Sequence, residues 1–145
     1  MSEKSSATIS IDAPIADVSK TLFEIEGYPE WSGAIKKVAG VEKDGSGQVV
    51  KATLTIDAGA VKDDVVLSYD WSAAPGTLTF ALEDGNFLTK MDGAYILKAL
   101  DADTTQVTYE LSVGLGMPIP QMMITKQEKS TIDLALKQLK EHLEG

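Results

Sequence analysis

The sequence predicts an α+β domain in which an antiparallel sheet is paired with one long C-terminal helix. Three observations predict it. Seven apolar or alternating runs precede residue 118, with the period of two expected of strands that have one covered face. Short turn signals punctuate them, chief among them Asp44-Gly45-Ser46-Gly47 and Asp84-Gly85-Asn86. The last stretch, Pro118 to Glu144, switches to helical spacing, with Ile132, Ala135, Leu136, Leu139 and Leu143 in one stripe. At about 1.5 Å per residue this helix would be about 40 Å long, more than a small domain is wide.

The elements follow in order. Thr8-Ile9-Ser10-Ile11 alternates as a first strand. Asp12 is placed to cap a helix that Pro14 opens, and Ile15, Val18, Leu22 and Ile25 share its face. Gly27 stops it, and Pro29 starts a second, short helix through Trp31. Ile35 to Lys43 reads as the second strand. In the third, Val50, Ala52, Leu54 and Ile56 alternate with polar residues, and Ala58-Gly59-Ala60 is a loose connection. Val65, Leu67, Tyr69 and Trp71 share one face of the fourth strand. Pro75-Gly76 turns the chain into Leu78, Phe80 and Leu82. Tyr95, Leu97 and Ala99 mark the sixth strand. Val107, Tyr109, Leu111, Val113 and Leu115 mark the seventh, after a hairpin at Asp101 to Thr104. Alternation of this kind means one covered and one wet face, and short loops mean a meander.

Composition narrows the function. The 145 residues are expected to form one domain, with enough chain for a real core. Net charge is −9 and every Lys/Arg position is lysine. Nucleic-acid binding leans on clustered basic side chains, so such a partner is not expected. The same charge argues against an anionic membrane surface, from which only a local patch would escape. Cysteine is absent, which removes disulfides, thiolate nucleophiles and Cys-ligated metals. The segment Met1 to Ala7 is polar, without a signal-peptide core, and no run is long enough for integral membrane association. A cytoplasmic protein is therefore expected. The single histidine, His142, lies in the last helical turn, remote from any Ser-His arrangement. No metal-ligand spacing or phosphate-cradling loop is present, so no cofactor is expected. The sequence sets no oligomeric state.

The order of elements, with Ile9-Ser10-Ile11-Asp12-Ala13-Pro14, Tyr28-Pro29-Glu30-Trp31 and Thr105-Gln106-Val107-Thr108-Tyr109-Glu110-Leu111 before the terminal helix, resembles the START-like or birch-pollen-allergen-like superfamily. Within it the chain is most similar to the bacterial polyketide cyclase/dehydrase and lipid-transport group. The resemblance covers almost the whole chain. It implies the helix-grip fold: a seven-stranded curved sheet wrapped around the C-terminal helix, two short helices between strands one and two, and an apolar cavity between sheet and helix. It also implies a single ligand-binding domain over 1–145. The family hosts carriers, cyclases, hydrolases and protein-partner domains, so the fold leaves the activity open.

Candidate ligand-binding residues follow from the covered faces. Tyr69, Trp71, Tyr95 and Tyr109 carry polar tips on interior faces, where each needs a hydrogen-bond partner, either a ligand or a backbone carbonyl. Extrapolating the stripe of Ile132 and Leu139 backward reaches Glu128, Thr125 and Gln121, as if the first half of the helix covered something other than a tight core. Glu128 is either an inward carboxyl that anchors a ligand or acts as an acid, or a solvated rim residue. Met122, with Met91, Met117 and Met123, is placed near the opening, as a pliable lining or as ordinary packing. Trp31 reads as a core plug rather than a cavity mouth. Lys36-Lys37 and Asp63-Asp64 read as solvated charges. The expected function is binding of a small hydrophobic molecule, a lipid, polyketide or isoprenoid-like compound, as carrier or sensor. A cyclase or dehydratase using tyrosine and Glu128 is the alternative, and a protein-interaction domain with a vestigial cavity is a third.

Overall fold

The computed structural model describes residues 5–57, 62–72, 76–116 and 118–144. The connection at Ala58 to Ala60, Pro75 of the next turn, and Met117 lie outside the described residues. Seven strands form one antiparallel sheet: β1 (Ser5–Ile11), β2 (Ile35–Lys43), β3 (Val49–Asp57), β4 (Lys62–Asp70), β5 (Thr77–Asp84), β6 (Leu88–Asp101) and β7 (Thr104–Leu115). Their spatial order is β1-β7-β6-β5-β4-β3-β2, a meander closed by the first strand returning to the last. Two short helices, α1 (Ile15–Phe23) and α2 (Tyr28–Trp31), separate β1 from β2, and α3 (Gln121–Glu144) ends the chain. This is the expected helix-grip arrangement.

The alternation carries the packing. Ala52, Leu54 and Ile56 of β3, Val65, Leu67 and Tyr69 of β4, and Val107, Tyr109 and Leu111 of β7 are buried. From the helices Val18, Leu22, Ile132, Leu136 and Leu139 enter the same core. Leu139 is 0% exposed and Leu136 2%. Trp31 is buried with its ring edge-on to Tyr28, as a core plug would be.

Close approach in the sheet depends on one glycine. Phe80 of β5 faces Gly93 of β6, and a Cβ on Gly93 would lie 2.6 Å from the Phe80 ring and 2.5 Å from the Glu110 carbonyl oxygen. Only a residue without a side chain fits there.

Three sequence expectations are corrected. Asp12 does not cap α1: the helix begins at Ile15, Pro14 holds the cap position, and its carbonyl accepts the N–H groups of Asp17 and Val18. Asp12 instead donates its own N–H to Glu144 Oε2 at 2.8 Å. The terminal helix starts at Gln121 rather than Pro118, because a residue before proline is held out of the helical region and Ile119 precedes Pro120. The Pro120 carbonyl then accepts from Met123 and Ile124. Gln121, at this new start, is exposed rather than on the covered face.

Asp63 is the third correction. It is buried and accepts four backbone N–H groups: Asp64 and Phe87 and Leu88 at 2.8 Å, and Asn86 at 3.1 Å. It pins the β5–β6 turn to the start of β4. Asp64 alone is a surface charge, accepting the Thr55 hydroxyl. Burial pushes the Asp63 carboxyl upward, but the four N–H donors outweigh it and hold the group below the usual aspartate range.

Candidate functional site

The first half of α3 has two kinds of neighbour. Its inner side faces the sheet at Glu128, which is 0% exposed. Ser5 Oγ donates to Glu128 Oε1 at 2.7 Å and the Val113 N–H donates to Oε2 at 2.6 Å. Val113 lies two residues beyond Leu111, which pairs with Ser5 in the β1–β7 ladder, and the Glu128 carboxyl supplies the acceptor for its N–H. Glu128 is thus inward, with both oxygens engaged by the sheet.

Its other side borders a groove of about 320 Å³. The walls are Phe87 from the β5–β6 turn, Leu115 from the end of β7, Ile119 from the bend before α3, and Met123 and Ile124 from its first turn. Lys126, Gln127 and Ser130 supply the polar part. Met123, Lys126, Gln127 and Ser130 recur at helical spacing, so they form one strip along α3. A smaller pocket of about 30 Å³ lies between helix and sheet, lined by Leu88, Met91, Leu111, Val113, Gln127 and others. Gln127 borders both spaces. It hydrogen-bonds Thr131, Nε2 to Oγ1 at 3.2 Å, and the Thr131 hydroxyl donates to the Gln127 carbonyl at 2.9 Å. The Asp63 clamp bears on the groove directly, because three of its four donors flank or belong to the wall residue Phe87.

The seven residues singled out from sequence do not meet in one place. Tyr95 and Tyr109 lie opposite each other in the β6–β7 ladder and stack with centroids 4.3 Å apart. Their hydroxyls share a hydrogen bond. Phe80 packs on both, and Tyr69 packs on Phe80. Burial pushes the tyrosine hydroxyls upward, Tyr109 to about 12, so they are neutral donors at physiological pH. The Tyr69 hydroxyl is buried without a partner among the described residues, as is Trp31 Nε1. Trp71 stands at the other end of the sheet, edge-on to Phe23, with Nε1 donating to the Val49 carbonyl at 2.6 Å. Thr125 is half-buried and accepts from Gln121 Nε2 at 3.3 Å. Met122 is 82% exposed and Met123 61%. Met91 is partly buried against the core.

The sequence matches the family described as polyketide cyclase / dehydrase and lipid transport over residues 2–144. The chain belongs to this family. Solved structures agree on the fold. A START superfamily protein from Mycobacterium smegmatis superposes with a TM-score of 0.92 at 20% identity, covering 97% of each chain. The Zhui aromatase/cyclase from a Streptomyces species gives 0.80 at 16% identity, over 98% of this chain and 93% of the other. A protein from Thermus thermophilus gives 0.81 at 18% identity over 97% of each. No curated protein sequence matches. For a polyketide cyclase / dehydrase and lipid transport family member, the features outside the sequence reading are Phe87, Leu115, Ile119, Ile124 and Lys126 as groove residues, and Asp63 beneath them. Asp63 was detectable, since it stands in phase with the buried Val65, Leu67 and Tyr69. The groove was not, because it is built where a turn, a bend and a helix converge.

Proposed function

We propose that the protein binds a small hydrophobic molecule along the first half of α3 and acts as a carrier or sensor rather than as a catalyst. The observation behind this reading is the groove of about 320 Å³ with five apolar walls, a size at the lower end of ligand sites. Family membership points the same way. Binding is driven by apolar burial, at about 25 cal/mol per Å². Tyr69, whose buried hydroxyl has no partner among the described residues, does not line this groove. A cyclase or dehydratase role is less well supported. Both Glu128 oxygens are engaged by Ser5 and Val113, and the tyrosines are raised well out of the range of a general base at neutral pH. No helix among the described residues is long and apolar enough to cross a membrane, and cytoplasmic residence belongs to the same proposal.

The test is native mass spectrometry of protein purified from its host, paired with displacement of an environment-sensitive lipid probe. The wild-type protein is expected to retain or take up an apolar compound, and Leu115→Glu to lose most of that affinity by placing a charge in the groove wall. Absence of uptake by the wild type, or full uptake by the variant, would sink the reading.

A further inference from the structure

Among the described residues the groove holds one charged side chain. Lys126 lines it beside Gln127 and Ser130, with apolar residues on the remaining walls, and forms no ion pair among the described residues. This is notable in a chain of net charge −9, where acidic partners are plentiful. From the groove and its lining we infer that the ligand is a monocarboxylate amphiphile, its carboxylate on Lys126 and its tail against Phe87, Leu115, Ile119 and Met123. The inference rests on the ligand-binding reading of the same groove. Size and charge set the class. At about 30 Å³ per water-sized group, the space takes on the order of ten heavy atoms, a medium-length chain. One ammonium, one amide and one hydroxyl match a single carboxylate. A phosphate dianion calls for several basic groups or the forked donors of arginine, and the chain has no arginine. The net negative charge of the molecule would further repel a dianion.

The experiment compares decanoate with decanol at neutral pH by titration calorimetry, in the wild type, Lys126→Met and Lys129→Met. Methionine keeps an apolar stem in the groove. Lys129 is exposed on the same stretch of α3 and is not a groove residue, so it controls for long-range charge. The expected result is that Lys126→Met lowers decanoate affinity relative to decanol by about fivefold, the scale of a partly screened ion pair, while Lys129→Met leaves the ratio unchanged. An unchanged ratio in Lys126→Met, or an equal drop in Lys129→Met, overturns the carboxylate assignment and leaves hydrophobic binding standing. Failure of the wild type to bind either compound overturns both.

Discussion

The two halves of α3 belong to one unbroken helix yet are held by different means. After residue 131, the helix buries Ile132, Leu136 and Leu139 and adds polar ties at its edges. Gln138 accepts the Gly33 N–H, Lys140 donates to the Ser10 carbonyl, and Glu144 accepts the Asp12 N–H. Over 121–126, the described side-chain hydrogen bond is internal to the helix, Gln121 to Thr125, and Met122 and Met123 face outward. Glu128 is the boundary, the last place where the sheet grips the helix from inside. The lesson is that the grip on α3 in this chain is uneven: one half is core, the other half is cover.

The largest expected effect tests that contrast by truncation. Leu139→Ala should cost about 2–5 kcal/mol, as removal of a fully buried leucine does. Met122→Ala should stay within about 0.5 kcal/mol. Denaturant melts check both, and similar losses at the two sites would erase the distinction.

A smaller effect tests what keeps the groove's far wall in place. Asp63→Asn should destabilise the protein by about 1–3 kcal/mol, because an amide cannot accept four N–H groups as a carboxylate does. The pH sign follows from the shift. The folded carboxyl titrates below the unfolded one, so its contribution is fully present above the unfolded value of about 3.9 and is lost as pH falls through the folded value. Wild type minus Asp63→Asn stability, followed from neutral pH into acid, should therefore shrink only below about pH 4. A difference that is flat down to the lowest accessible pH would remove Asp63 as an ionised clamp.

The smallest effect is local. Amide exchange should be faster from Met122 to Gln127 than from Ile132 to Leu139, because less burial means a lower opening free energy. A bound amphiphile should slow the first segment selectively. Uniform protection along α3, with and without ligand, would favour a solid interaction domain.

The fold was legible because its signals are periodic. β2 was bounded at Ile35 and Lys43 from sequence and in the structure alike, and the buried stripe of α3 was read correctly from Ile132 onward. The misreadings share a cause. Asp12, Asp63 and the start of α3 depend on where a side chain or a proline meets a neighbouring segment, and spacing along one element does not encode that. The tyrosines were placed correctly on covered faces. Whether they met a ligand or each other depended on cross-strand register, Tyr95 opposite Tyr109, which alternation alone leaves free by any even number of residues.

The return of β1 to β7 has a consequence in time. Thr8 and Thr108, whose hydroxyls meet at 2.8 Å, are 100 residues apart. At about 5–20 residues per second of synthesis, β1 leaves the ribosome roughly 5–20 seconds before its partner strand exists. During that interval its apolar positions, Ile9 and Ile11, have no sheet to join. The β2–β7 meander can form from near neighbours as it emerges, and the first strand made is the one that must wait to be docked.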